Sequence, residues 1–175
     1  MIQSTKGNLM SAPVEALVNT VNTVGVMGKG LALQFRNSFP ENYRAYRAAC
    51  ARGEVVVGRM FVTANSNGSN PRFIINFPTK AHWRDPSRLE YVSEGLKDLA
   101  RVIRERRIMS IAIPPLGCGL GGLQWLVVKP LIAEALADFP NLKVLLFEPA
   151  PPPPPVGPLA SLFVILSFVI PHSPP

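Results

Sequence analysis

Apolar residues recur in two rhythms along this chain, a short alternating one and a longer one of three- and four-residue spacing. "MIQSTKG" and "EALVNTVN" read as short strands. "GKGLALQFRNSF" places Leu31, Phe35 and Phe39 at four-residue spacing and predicts a helix ended by Pro40. "ENYRAYRAACARG" predicts a second helix, stopped by Gly53. "GRMFVTAN" and "RFIINFPTK" are predicted strands, separated by the turn signal "SNGSNP". The longest predicted helix is "DPSRLEYVSEGLKDLARVIRERR". In it Asp85 serves as cap, Pro86 suits the first turn, and Leu89, Val92, Leu96, Leu99 and Ile103 form the buried stripe. The strand "SIAIPPLG", the loop "CGLGGLQW", the helix "VVKPLIAEALADF" and the strand "LKVLLFEP" complete the series. Strands alternating with helices imply an α/β layered sandwich with a largely parallel sheet. Ligands of such sheets sit where the strands release their carboxyl ends into loops.

The rhythm stops after Phe147, where "EPAPPPPPVGPLASLFVILSFVIPHSPP" begins. Five consecutive prolines cannot join a helix or an inner strand. The apolar run behind them is shorter than the ~20 residues a membrane span requires. The expected organisation is one folded unit over residues 1–149, with residues 150–175 outside it as a linker, a truncation junction or cloning read-through. A peptide docked on a partner is the alternative. The remaining length suits a single domain with a substantial core.

Composition changes this picture in two respects. Apolar residues make up 47% and charged residues 17%, a globular balance. The net charge of +7 fits a polyanionic partner such as nucleic acid, and equally a basic protein without one. Cys50 and Cys118 show no CxxC spacing and no histidine cluster, which argues against a disulfide framework and a metal site. The N-terminus lacks a signal-peptide pattern. A reducing cytoplasm, no membrane association and a monomer are expected.

Three loops follow strands in this reading, at residues 19–30, 78–84 and 114–125. The first, "GVMGKG", fails the P-loop spacing, and it reverses the GxGxxG spacing of dinucleotide sites. The physics survives: glycines admit backbone amides close to an anion, and the following helix offers its positive N-terminus. A tight strand-to-helix turn is the plain alternative. The third loop, "GCGLGG", repeats the theme, so two loops of one sheet could grip a pyrophosphate from both sides.

"NTVNTVGVMGKGLALQF", "NFPTKAHWR" and "IPPLGCGLGGLQW" resemble the three signature segments of the macrodomain family, in order and over almost the whole folded part. Within it they are most similar to the branch of ADP-ribosyl glycohydrolases that act on DNA, with the terminal ADP-ribose protein glycohydrolases beside it. The resemblance implies a three-layer α/β/α sandwich with a mixed, largely parallel central sheet. It implies ADP-ribose as ligand and product, and no cofactor or metal. Asn8 and Leu9 would meet adenine, although many relatives carry an aspartate at the first position. Thr20, Asn22 and Thr23, then Gly25, Val26, Met27, Gly28, Lys29 and Gly30, would line the first side, with Asn22 at the distal ribose. Pro78 and Thr79 would follow from the second segment. Leu116, Gly117, Cys118, Gly119, Leu120, Gly121 and Gly122 would close the other side.

Lys80 lies at the position where this branch has its catalytic lysine; a solvated surface lysine is the ordinary alternative. Cleavage at the distal ribose develops oxocarbenium character, and an amine can attack that carbon and leave through an imine. Such an amine must first shed its proton, and His82 and Arg84 are the candidate neighbours by sequence. Protein-directed relatives carry an aspartate in the third loop where this chain has Gly121, which questions a lysine–aspartate pair here. His82, Trp83 and Arg84 are possible DNA contacts through stacking and charge, against simple loop packing. "RVIRERR" reads as the polar end of its helix before a phosphate patch. Cys118 reads as a small filler, and Lys29 is not the working lysine.

The expected activity is removal of ADP-ribose from thymidine bases of single-stranded DNA, as antitoxin to a DNA ADP-ribosyltransferase toxin. The expected partners are therefore ADP-ribosylated single-stranded DNA and that cognate toxin. Hydrolysis of ADP-ribosyl-glutamate on protein and non-catalytic ADP-ribose reading are the alternatives.

Overall fold

Two-residue alternation along the strands decides which helix layer each side chain meets. The computed structural model describes residues 1–65 and 68–150. Its elements are β1 (Ile2–Thr5), β2 (Ala16–Val21), α1 (Gly30–Ser38), α2 (Pro40–Ala51), β3 (Phe61–Ala64) and β4 (Phe73–Pro78). They continue with α3 (Leu89–Arg106), β5 (Ser110–Ile113), α4 (Trp125–Ala135) and β6 (Lys143–Phe147). The six strands form one sheet in the order β1-β6-β5-β2-β4-β3. All neighbours are parallel except β3, which runs antiparallel to β4. The predicted mixed, largely parallel sheet is thus observed.

Ala16 and Val18 of β2, Ile75 and Phe77 of β4, and Ile111 and Ile113 of β5 face one way. They share a cluster with Val92, Leu96, Leu99 and Ile103 of α3 and with Val128 and Ile132 of α4. The intervening residues Leu17, Ile74 and Ala112 face the other way and pack with Phe35 of α1. Val21 joins Met27, Tyr46 and Ala49 beneath α2. The sheet is therefore sandwiched between α3/α4 and α1/α2, and five parallel strand ends open on one edge.

One polar group is built into this core. Asn19 of β2 and Asn76 of β4 are register partners and fully buried. Asn19 Nδ2 donates to Asn76 Oδ1 at 3.1 Å, and Asn76 Nδ2 donates to Asn42 Oδ1 of α2 at 2.7 Å. Thr63 of β3 donates to the same Asn42 oxygen at 2.7 Å. Burying amides costs little only when they are bonded, and this ladder ties the interior strands to α2.

The predicted bounds of two helices are corrected. Helix α3 starts at Leu89, with Arg88 as an N-cap that makes no side-chain capping bond, so Asp85 caps nothing. The cause is tertiary: Ser87 donates its amide to Gly121 O at 2.9 Å, which holds that stretch outside the helix. Helix α4 begins at Trp125 and ends at Ala135, earlier at both ends than its predicted span. Residues 151–175, which hold nearly all of the predicted tail, lie outside the described residues. No helix among the described residues is long and apolar enough to cross a membrane.

Gly95 of α3 is where helix and sheet come closest, because a Cβ there would lie 2.4 Å from the Phe77 ring. Gly95→Ala should lower stability by about 1–3 kcal/mol through overpacking, despite the better helix propensity of alanine. Urea unfolding measures it, and an unchanged or raised midpoint would contradict this packing.

Candidate functional site

The parallel strands bring three loops to one edge, and hydrogen bonds join them. Thr79 donates its amide to Val21 O at 3.0 Å. Thr23 donates both its amide, at 3.2 Å, and its hydroxyl, at 2.7 Å, to Ala81 O. Lys80 Nζ donates to Leu120 O at 2.8 Å. With the Ser87–Gly121 bond, the second loop is thus tied to the first on one side and to the third on the other.

Asn22 organises the first loop. Its Oδ1 accepts from Val24 N at 3.0 Å and Val26 N at 3.2 Å, and its Nδ2 donates to Val26 O at 2.7 Å. Tyr46 of α2 donates to Asn22 O at 2.7 Å and lies 3.1 Å from Asn22 Oδ1. Burial, with Cys50 adding to it, raises the phenol well above its usual range, so it stays a donor. The Asn22 amide is therefore engaged in shaping the loop. Gly25 has φ 81°, and a Cβ there would meet Arg47 Cγ at 3.4 Å. Met27 anchors the loop in the core at 1% exposure. Lys29 is the N-cap of α1 and makes no side-chain capping bond. The first-turn amides of α1 therefore remain available to an anion.

The third loop faces that turn: a Cβ on Gly30 would lie 3.9 Å from Leu120 Cδ1. Gly117 and Gly122 have φ 70° and 80°, the left-handed region glycine occupies freely. Gly121 is required for a different reason. A Cβ there would fall 2.2 Å from Ser87 Oγ and 2.3 Å from Gly117 O, so position 121 admits no side chain. Ser87 is 6% exposed, and its hydroxyl makes no hydrogen bond among the described residues. Burial pushes the Cys118 thiol up to about 11, which leaves it neutral and inert, as its reading as a filler requires.

At the other end of the edge, a cavity of about 410 Å³ opens between the ends of β1, β5 and β6 and helix α1. Asn8 and Leu9 line it, with Leu31 and Gln34 of α1, Pro114, Pro115 and Glu148. Asn8 Oδ1 accepts from Met10 N at 3.0 Å and caps the 3-10 turn Leu9–Ser11. Lys129, hydrogen-bonded to Glu148 at 3.0 Å, holds that carboxyl below the usual carboxylate range. Gln34, Pro114 and Pro115 lie within the quoted segments but carry no sequence signal that turns them toward a cavity, and Glu148 lies outside all three; the i,i+3 pair Leu31 and Gln34 was the available signal. A smaller cavity of about 220 Å³ at the α1–α2 junction, beside Thr63 and Asn65, touches none of the three loops. Among the described residues no group of three or more His, Cys, Asp or Glu could hold a metal.

His82 and Arg84, the neighbours of Lys80 that the sequence suggests, are bonded within their own turn. His82 O accepts from Asp85 N at 3.1 Å, closing a turn with Trp83 and Arg84 at its corners. The His82 and Trp83 rings lie 5.4 Å apart, and the Arg84 guanidinium sits 4.6 Å from the Trp83 ring centre.

The chain belongs to the macrodomain family: the family model described as Macro domain matches residues 18–132. A protein of Thermus aquaticus described as DNA ADP-ribosyl glycohydrolase is 59% identical over 153 residues, which are 87% of this chain and 42% of that protein. The chain spans 42% to 43% of the length of the curated relatives it matches at 52% identity or more. The macrodomain of Mycobacterium tuberculosis DarG superposes with a TM-score of 0.85 at 52% identity, covering 86% of this chain and 99% of that one. Thermosipho africanus DarTG, solved in complex with ADP-ribose, gives 0.80 at 31% identity, covering 88% of this chain and 43% of that one.

The Ser87–Gly121 contact predicts a non-additive pair. Gly121→Ala should lower stability by about 1–3 kcal/mol, and adding Ser87→Gly should recover part of the loss. Thermal melts of the two single variants and the double variant decide it; strict additivity would mean the two residues do not meet.

Proposed function

We propose that this macrodomain is a hydrolase that removes ADP-ribose from thymidine bases of single-stranded DNA, countering a DNA-modifying toxin. The observation that carries the reading is Lys80, whose amine reaches the tip of the third loop at Leu120 beside a position closed to any carboxylate. Identity of 59% to a DNA ADP-ribosyl glycohydrolase supports the substrate, and a net charge of +7 suits a polyanion.

The ligand is laid along the strand edge. Adenine enters the cavity beside Asn8 and Leu9, with Gln34 and Glu148 as polar partners. The pyrophosphate crosses the start of α1, where free amides and the helix dipole favour negative charge. Backbone from Gly25 to Gly30 and from Gly117 to Gly122 grips it, over the floor that Thr20, Thr23, Pro78 and Thr79 provide. Asn22 sets the loop around the distal ribose and brings the anomeric carbon to Lys80.

The Lys80 amine, with one N–H on Leu120 O, attacks that carbon through its nitrogen lone pair. The bond from carbon to the thymine nitrogen breaks, and its electron pair leaves with the base. The proton the amine sheds is matched by the one the base takes up. The ribose ring opens to an imine, water adds to the same carbon, and the lysine–carbon bond breaks to return the amine and free ADP-ribose. The resemblance gives protein-directed relatives a carboxylate at position 121. Ser87 leaves no room for one, which favours the nucleobase leaving group over a glutamyl ester.

An enzyme that erases this mark implies a partner that writes it, a transferase acting on the same DNA. The cytoplasm, where thiols remain reduced, is the setting we assign.

Wild-type protein should restore an unmodified oligonucleotide from one bearing ADP-ribosylated thymidine. Lys80→Ala should slow turnover by about a hundredfold or more while calorimetric ADP-ribose binding persists. Release of ADP-ribose from glutamyl-modified protein but not from DNA would make the chain a protein hydrolase. Binding without any turnover in wild type would make it a reader.

A further inference from the structure

We propose that Trp83 is a stacking platform for the nucleotide that flanks the modified base, with Arg84 as the cation for the phosphate between them. This rests on the DNA reading above and names how the same site takes its substrate. The turn carrying Trp83 starts two residues after Lys80, and Ala81 between them is anchored to Thr23, so the platform is fixed at the edge of the cleft. Trp83 is 46% exposed, an unusual state for so large an aromatic ring in a tight turn.

Its surroundings are those of a base-stacking site. The His82 ring lies 5.4 Å from it, and His82 Nδ1 accepts from Arg84 N at 3.2 Å, so the turn is bonded within itself without a ligand. Arg84 is held by the Trp83 ring, makes no ion pair among the described residues, and keeps its five N–H donors for a phosphate. The next cation along the chain is Arg88, 5.6 Å from the Tyr91 ring, so a second arginine–aromatic pair follows the first. Asp85 is the one carboxylate in the turn, and its amide closes it. Stacking tolerates any base, which suits a protein that must find its mark in varied sequence.

Two readouts test the platform. Tryptophan fluorescence follows the binding of unmodified trithymidylate, Trp83 being one of two tryptophans. Initial rates compare a trinucleotide carrying the modified thymidine at its centre with the modified mononucleoside. Wild type should show quenching and a higher kcat/KM on the trinucleotide. Trp83→Ala should abolish the quenching and lower the trinucleotide-to-mononucleoside ratio about tenfold, with Trp83→Phe recovering most of it. Arg84→Ala should flatten the salt dependence of the trinucleotide reaction. A ratio and a quenching signal that survive Trp83→Ala would overturn the platform. Quenching that depends on Trp83 in a protein that cleaves neither substrate would keep the platform and remove the proposed activity.

Discussion

The site depends on the second loop, the middle member of a hydrogen-bonded seam. One carbonyl, Ala81 O, takes both donors of Thr23, while Lys80 and Ser87 reach across to Leu120 and Gly121. Because β2, β4 and β5 are parallel neighbours, their carboxyl ends lie side by side and the seam can form without a long excursion of chain. A reactive amine on an isolated loop would sweep a wide volume. Here the Lys80 amine is bonded to Leu120 O in the third loop, the kind of preorganisation that the proposed chemistry requires.

The same seam constrains the chemistry. Ser87 is pulled out of helix α3 to meet Gly121, and its hydroxyl occupies the space any side chain at position 121 would need. A dyad of lysine and carboxylate is excluded there by packing as well as by sequence. What this part of the edge presents is backbone amides and one lysine, the groups on which the proposed reaction draws. On the first side, Tyr46 and Asn22 convert a flexible glycine-rich stretch into a single shape. The buried ladder of Asn19, Asn76 and Asn42 fastens the strands and α2 beneath it.

Much of this was legible in the sequence because local patterns and tertiary demands agree. The alternation in "ALVNTV" and "FIINFP" sorts residues between the two helix layers, and the two glycine runs mark the loops that meet at Leu120 and Gly30. The start of α3 was not legible: Asp85 and Pro86 carry good capping chemistry, and a backbone bond to a loop over thirty residues away overrides it. Asn19 and Asn76 gave no signal, since only strand pairing places them together in the core. The cavity residues Gln34 and Glu148 are distant in sequence and converge because α1 starts at the edge where β6 ends.

The central claim is that Lys80 forms a transient covalent bond to the distal ribose. The most direct measurement is to incubate the protein with its ADP-ribosylated substrate and cyanoborohydride, then map any adduct by peptide mass spectrometry. Reduction of the imine should leave a stable ribosyl adduct on Lys80 and on no other lysine. An adduct on Lys29, or steady turnover with no adduct at all, would contradict the account.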